Sequence, residues 1–552
     1  MSYQSFIPDD DQEFEREYQR FFQSRSETIK TIDKLKSVDV LVVGGGIHGA
    51  AFARRSALAG FKTLLLEQND YASGTSSRSS KIAHGGVRYL EMFDFKQVFA
   101  GIKSREDLFK TASHLVRPYE FVIPLQKKQW WLRFKLGVGL KLYDLLARVS
   151  KRKRLWVTRE QIQDLGFPAD SELIGGWKYY DGLMNDTRLV IENIIAARQE
   201  GALCLNHARV TSINHTQTNS VEVGWQNNLD GKIHSISSGV VINCAGPWVA
   251  GAGRVKPGPL AANLRFSRGS HLVFDKKWDG PALLIPLAEK GRYYFVWPYL
   301  DKTFVGTTER EIQDLSVDPI PSEDEIEEIL TRLRKDLPQS GLDRNSLYYC
   351  YAGIRTLYQK YPGKKISEVS RSHNWSYSNG VLSLSGGKFT TAYWTVEEGM
   401  QHLASISDAP ISKQSLDDRK LPGAGSQDYI EEFKTKATEL KLSEKIIQRI
   451  VSHFGANVKY FLQAEEMFEL IGGEILRGEI EIAIDIEQAE TLEDIVRRRL
   501  DLEYLPGYGL NLINQIAEIL KEKRPATDID QQLIEYRARI DKLTKLMNLG
   551  NN

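Results

Sequence analysis

Glycine spacing gives the first chemistry. Gly44, Gly46 and Gly49 stand in Gly44-Gly45-Gly46-Ile47-His48-Gly49, directly behind the apolar run Val38-Asp39-Val40-Leu41-Val42-Val43. This is the G-x-G-x-x-G spacing of a dinucleotide-binding strand, turn and helix. The first glycine permits the tight turn, the second lets a pyrophosphate approach the backbone, and the third lets helix pack on strand. The phosphates would sit on N–H groups at a helix start, which carries roughly half a positive charge. A second apolar run, Thr63-Leu64-Leu65-Leu66, ends at Glu67. A carboxylate there can accept hydrogen bonds from the ribose hydroxyls of an adenosine, and it would repel a 2′-phosphate. Strand before, helix after and acid at the second strand end make a dinucleotide the expected ligand.

Residues 74–91 decide which dinucleotide. They read Gly74-Thr75-Ser76-Ser77-Arg78-Ser79-Ser80-Lys81-Ile82-Ala83-His84-Gly85-Gly86-Val87-Arg88-Tyr89-Leu90-Glu91. Hydroxyls, a glycine pair and three basic residues suit a loop that touches phosphates and a polar ring. The stretch resembles the FAD-dependent glycerol-3-phosphate dehydrogenases, whose pattern is close to T-S-S-x-S-[ST]-K-[LI]-x-H-G-G-[LV]-R-Y-L-E. Further ordered segments carry the resemblance from about residue 39 to residue 391: N-x-[AT]-G-P-W at 243–248, Gly353-Ile354-Arg355 where the family has G-[VL]-R, and G-G-K-x-T-T at 386–391. It implies FAD as cofactor, held by the fingerprint glycines, Glu67 and the loop residues Thr75, Ser76, Ser77, Lys81, Gly85 and Gly86, with His84 orienting the ring. Ala245 and Gly246 would lie beside the flavin, because small residues let backbone approach a ring closely. Gly387, Lys388 and Thr390 would return to it at the end of the domain, and Val210 is expected to touch it from the alternating stretch 210–223.

The implied reaction is oxidation of glycerol 3-phosphate to dihydroxyacetone phosphate. It needs a clamp for a phosphate dianion, a C2 hydrogen set against flavin N5, a proton taken from the C2 hydroxyl and stabilisation of negative charge on the flavin. The cofactor supplies the hydride chemistry, and the protein supplies placement and electrostatics. Arginine suits the clamp, because its planar fork makes bidentate charge-assisted bonds. By the resemblance Arg88, Tyr89 and Arg371 bind the phosphate, while Arg355 and Lys388 lie nearer the reacting alcohol and the isoalloxazine. His271, in Gly269-Ser270-His271, is the candidate general base, with an ordinary pKa near 6.5 that suits the task. The chain departs from the pattern at several points. Glu309 replaces the usual aspartate of G-T-T-D, Thr356 replaces the proline after G-[VL]-R, and Ser372 replaces an acid after Arg371. Thr390-Thr391-Ala392-Tyr393-Trp394 lacks the usual tyrosine and arginine of T-T-Y-R. Two other readings therefore stand beside the first: an oxidase giving electrons to oxygen, and a flavin-binding protein of altered substrate or lost turnover.

These residues need particular elements to position them. Residues 38–420 are expected to form an α/β unit, an FAD-binding Rossmann-like domain interleaved with an antiparallel-sheet substrate domain. Its sheet strands are expected at 270–274, 283–285, 293–297 and 303–306. A Pro-containing turn is expected at Pro118 and a helix over 322–337, with acids in its first turn. Residues 421–425, Leu421-Pro422-Gly423-Ala424-Gly425, read as a linker. Beyond it, 421–552 reads as an all-α domain, with faces at Ile447, Ile450, Val451 and Phe454, at Leu492, Ile495, Val496 and Leu500 behind a cap at Thr491, and at Ile529, Leu533, Tyr536, Ile540 and Leu543. Residues 1–37 form an acidic N-terminal extension, in which Phe14, Tyr18, Phe21 and Phe22 recur at helical spacing.

A chain of 552 residues with a net charge of +1 has ample length for a large core and no general affinity for nucleic acid. Cys204, Cys244 and Cys350 have no metal-ligand spacing, and they suit unpaired thiols in a reducing compartment. No metal is expected, no signal peptide is read at the acidic N-terminus, and no run reads as a membrane span. The exception to the charge balance is residues 127–154, which hold ten Lys and Arg against Asp144 alone, together with Trp130 and Trp131. Leu132, Leu136, Leu140 and Tyr143 share one helical face there. Such a helix suits either a membrane interface or a surface position with its apolar side facing the core; the resemblance favours the first and implies peripheral contact through 127–156 on the inner face of the cytoplasmic membrane, with quinone as electron acceptor. A homodimer is compatible with the sequence.

Overall fold

The computed structural model describes residues 24–87, 94–146, 154–217, 220–251, 263–288, 292–315, 318–359, 372–407 and 414–548. Five parallel strands lie side by side in the order Val381–Gly386, Ile233–Asn243, Ser37–Val43, Thr63–Leu66 and Leu203–Leu205. Their inner residues, Val40 to Val43 and Leu64 to Leu66, are buried on both faces, which is why they read as unbroken apolar runs. The register sets Val43 opposite both Leu66 and Asn243, and Asn243 opposite Ser383. The glycine turn, Glu67, the small-residue turn after Asn243 and the Gly386-Gly387 turn thus leave the sheet along one edge. In open α/β sheets that carboxyl edge is where ligands bind. The helices Ile47–Leu58, Asp186–Gln199 and Ala392–Ser407 build one core against the sheet through Phe52, Ile194 and Val396. The hairpin Ala208–His215 and Val221–Asn227 and the helix Arg25–Lys34 pack against its other core, with Trp225 and Ile32.

The second sheet has ten strands. Its strands come from 82–184, between Thr63–Leu66 and Leu203–Leu205 of the first sheet, and from 264–358, between Ile233–Asn243 and His373–Ser378, so the two sheets interleave along the chain. The long strand Leu264–Phe274 pairs with Leu347–Tyr358, Lys302–Gly306 and Arg310–Ile312, all antiparallel. Pro118 corrects the sequence reading. It lies within the strand Val116–Gln126 opposite Gly182, not in a turn. On the strand's other side the pairing with Ala282–Pro286 involves Phe121 and Val122, so the missing N–H of proline costs no ladder bond there.

Residues 421–425 are not a free linker either. Leu421, Gly423 and Ala424 are buried, and the Gly423 N–H donates to Glu192 at 2.8 Å. The C-terminal region is helical apart from a two-stranded pair, Leu470–Ile471 with Ile475–Leu476. Ser322 caps the helix Glu323–Asp336, and Thr491 accepts from the Asp494 N–H at 3.2 Å. Phe14, Tyr18, Phe21 and Phe22 lie outside the described residues.

The helix Trp130–Leu146 shows two apolar faces. Leu136 and Leu140 are buried in the second core, with Leu132 packed against it, so that this apolar side takes the core-facing one of the two expected arrangements. Trp130, Trp131, Phe134 and Val138 form the other face, and each is more than half exposed, Trp130 at 66%. The side chain of Tyr143 lies outside the described residues. No helix among the described residues is long and apolar enough to cross a membrane.

Candidate active site and cofactor cavity

Strand ends of the first sheet and one face of the second enclose a cavity of about 880 Å³. Gly44, at φ +103°, turns the chain out of its strand in a conformation that only glycine adopts freely. Gly46 caps the helix Ile47–Leu58, whose first turn carries no acid and whose Ile47 N–H donates to Ser76 Oγ at 3.0 Å. A Cβ on Gly49 would overlap the Gly44 carbonyl oxygen, so the third glycine sets the contact of helix with turn rather than lining the cavity. Gly44, Gly46, Glu67, Thr75, Ser76, His84, Gly86, Val210, Ala245, Gly246, Gly387, Lys388 and Thr390 line the cavity. This donor set fits FAD: a glycine-turn helix start free of acid for a pyrophosphate, an acid at the second strand end and small-residue turns where a ring must approach. His48 also lines the cavity, and its Nε2 is buried without a hydrogen-bond partner, an orphaned polar atom of the kind a bound ligand satisfies. Glu67 is already engaged, accepting from Gly45 N at 2.6 Å and Asn69 N at 2.9 Å. Burial raises its carboxyl pKa and these two bonds oppose the rise. Each carboxylate oxygen keeps a second lone pair for a ribose hydroxyl.

Three loop residues depart from expectation. Lys81 turns away from the cavity. At φ +52° its side chain points inward, where Nζ meets Asp186 at 2.6 Å between the rings of Tyr299 and Tyr504. It is a buried ion pair, not a cofactor contact. Ser77 faces the small gap on that same side, with Asp501 and Glu503. Gly85 donates its N–H to Asp181 at 2.9 Å and does not line the cavity. Of the loop's basic residues, Arg78 pairs with Asp318 at 2.6 Å and Lys81 with Asp186. Arg88, Tyr89 and Arg371, the expected phosphate binders, lie outside the described residues.

His271, Arg355 and Lys388 converge on the cavity. The strand Leu264–Phe274 carries His271, and its neighbour Leu347–Tyr358 carries Arg355. The Arg355 guanidinium donates to Thr307 Oγ1 at 3.0 Å and lies over Gly269, where any Cβ would collide with it. Lys388 Nζ donates to Gln97 Oε1. His271 is 1% exposed, stacks on Tyr351 at 4.7 Å and shares a hydrogen bond with Ser80 Oγ at 2.9 Å. Its pKa is not the ordinary one. Burial first, then the charges of Arg355 and Lys81, hold it well below 6.5, so the ring is neutral at physiological pH.

The sequence reading passed over several wall residues. Asp181 is 2% exposed and ties Gly85 to Arg105, whose Nη1 it accepts at 2.7 Å. Arg292 and Glu309 both line the cavity, 3.7 Å apart, so the longer acid in place of aspartate faces a cation across the pocket. Tyr393 and Trp394, at the altered T-T-Y-R segment, turn to Asn193 and Glu398 instead of the cavity. Asp181 stood in a visible Tyr-Tyr-Asp-Gly run; Arg292 had no local signal.

Comparison with known proteins agrees with this geometry. Residues 39–395 match the family of FAD-dependent oxidoreductases, and residues 417–528 match the C-terminal domain of α-glycerophosphate oxidase. A glycerol-3-phosphate dehydrogenase of Synechocystis is 32% identical, over 90% of this chain and 95% of its own. A D-erythritol 1-phosphate dehydrogenase of Brucella abortus is 31% identical, over 84% of this chain and 94% of its own. Among solved structures, a glycerol-3-phosphate dehydrogenase from Bacillus halodurans complexed with FAD superposes with a TM-score of 0.75 at 22% identity, over 95% of this chain and 97% of that one. Fingerprint, cavity and full-length relatives converge: the chain is an FAD-dependent oxidoreductase and belongs to the glycerol-3-phosphate dehydrogenase family.

Proposed function

We propose that the chain oxidises sn-glycerol 3-phosphate to dihydroxyacetone phosphate and passes the electrons to membrane quinone. The observation that carries this reading is the convergence of His271, Arg355 and Lys388 on the cofactor cavity. A bound FAD supplies the hydride acceptor. Arg355, steadied by Thr307, and Lys388, steadied by Gln97, are cations set where oxygen and ring gain negative charge. His271 is neutral and takes the hydroxyl proton; a phosphate dianion bound nearby raises its proton affinity, since an opposite charge favours the imidazolium. Arg88, Tyr89 and Arg371 clamp the phosphate.

Two other readings each have an observation in their favour. Electron transfer to oxygen is suggested by the match of residues 417–528 to the C-terminal domain of α-glycerophosphate oxidase. A longer phosphorylated polyol is suggested by the Brucella relative and by the Arg292–Glu309 pair at the cavity wall. Steady-state assays separate them. Dye or quinone reduction by glycerol 3-phosphate without matching oxygen uptake supports the dehydrogenase. Stoichiometric peroxide overturns the quinone link, and a kcat/KM at least tenfold higher for erythritol 1-phosphate overturns the substrate.

A further inference from the structure

One wall of the cavity is a strap, residues 307–315, which leaves the second sheet; Asp318 follows it three residues on in sequence. Thr307, Thr308, Glu309 and Leu315 line the cavity from it. The strap is tied first by sheet pairing, Arg310–Ile312 against Leu264–Phe274. Its second tie is the Leu315 carbonyl, which accepts the Trp248 indole N–H at 3.1 Å; Trp248 in turn lies 3.2 Å from where a Cβ on Gly74 would stand. The third tie leaves the FAD-binding region. The Asp318 carboxylate takes Arg78 Nη1 at 2.6 Å, Arg539 Nε at 2.9 Å and Arg497 Nη2 at 3.3 Å. Arg78 comes from the cofactor loop and itself lines the cavity, while Arg497 and Arg539 come from the turn Asp494–Arg499 and the helix Ile529–Asn548 of the C-terminal region.

The two C-terminal arginines are held by Glu503 of their own region, Arg497 directly and Arg539 through Tyr349 of the strand Leu347–Tyr358. Arg497 Nε pairs with Glu503 at 2.9 Å, and Arg539 Nη2 donates at 3.0 Å to Tyr349 OH, which donates to Glu503 at 2.6 Å. Burial alone would raise the Asp318 carboxyl; Arg497, Arg78 and Arg539 hold it well below the usual carboxylate range, so it is ionised at every working pH. The carboxylate is 36% exposed, while the side chains of Arg78, Arg497 and Arg539 are 6%, 6% and 14% exposed; neutralising it removes the one charge these three guanidiniums share.

We propose that Asp318 is a positioning residue through which the C-terminal domain holds the cavity wall shut on FAD, so that cofactor release is governed from outside the cavity. Asp318 itself does not line the cavity. Its side chain acts on the wall through the strap, and on the cofactor loop through Arg78.

The test follows FAD release from the holoenzyme by the fluorescence regained on dilution, in wild type, Asp318→Asn, Arg539→Gln and the double variant. Amide hydrogen exchange of residues 307–315 is followed in the FAD-free wild type and Arg539→Gln proteins. The control is Arg524→Gln, which breaks a C-terminal pair with Glu490 away from the strap. The expected result is release at least tenfold faster in each single variant, no further gain in the double, and faster exchange across 307–315 in Arg539→Gln. The control should do neither. Wild-type release in both single variants overturns the proposal, as does equal acceleration by Arg524→Gln. If Asp318→Asn does not fold, the Arg539→Gln exchange data decide. A wild-type protein that takes up no FAD would instead overturn the cofactor assignment, and the exchange measurement would still judge the latch.

Discussion

His271 and Asp501 are both buried ionisable groups, and burial moves them in opposite directions. The neutral form of His271 is favoured, so it is ready to accept a proton at any pH above its lowered pKa. We expect the His271 ring in the substrate-free protein, followed by NMR, to titrate only below pH 6.5; a midpoint at 6.5 would contradict the buried, neutral ring. His271→Ala should cost about 10²–10⁴ in turnover, and a loss below tenfold would move the role to another group. Asp501 is held by burial at about 6, against an ordinary 3.8. Its folded form keeps a proton that the unfolded chain has released, so the native state loses stability as pH rises from 3.8 to about 6 and stays lower above that. At about 1.4 kcal/mol for each pH unit, the cost is on the order of 3 kcal/mol. Asp501→Asn should therefore raise the melting temperature at pH 8 and have little effect near pH 4, as scanning calorimetry would show. This scale was the least legible in the sequence. The fingerprint glycines, Glu67 and the Gly387-Lys388 turn were found because each sits in a linear pattern tied to a strand end. Lys81 misled because a left-handed residue sends its side chain away from the cavity, and Asp318 gave no sign because its three arginines come from residues 78, 497 and 539.

Elements were easier to read than the partners they chose. Parallel strands announced themselves as apolar runs, the helix Glu323–Asp336 by the acids of its first turn and the turn Asp494–Arg499 by its cap at Thr491. The helix Trp130–Leu146 shows where periodicity stops helping. One face, Leu136 and Leu140, turns to the core, and a second, with Trp130, Trp131, Phe134 and Val138, remains exposed on a helix that also carries Arg133 and Lys135. Aromatic residues at headgroup level and basic residues worth about 1 kcal/mol each near an anionic surface make this outer face the one that would meet a membrane. Cosedimentation with anionic liposomes should be lost when Trp130, Trp131 and Phe134 become serine, and weakened by high salt. Binding that persists in that variant would remove the helix from the account.

At the scale of the whole molecule, the C-terminal region is fused to the body rather than appended. Phe433, Ile450, Phe454 and Phe461 share a core with the helix Ile47–Leu58, and Tyr504, Leu543 and Met547 join the core of the second sheet. Asp70 is bridged by Arg498 and Arg499, each within 2.8 Å. The sequence showed a helical tail after a turn; it could not show these contacts, because apolar faces do not name the surface they cover. A chain ending at residue 420 should neither fold cooperatively nor retain FAD, and a soluble, yellow product would contradict the shared core. The measurement closest to the central claim is the absorption spectrum of the purified protein under anaerobic conditions as substrate is added. The account predicts a bound flavin that glycerol 3-phosphate bleaches and unphosphorylated glycerol does not, with Arg355→Met bleaching at least a hundredfold more slowly. A flavin left oxidised by every phosphorylated polyol, or a protein that binds no flavin, would contradict it.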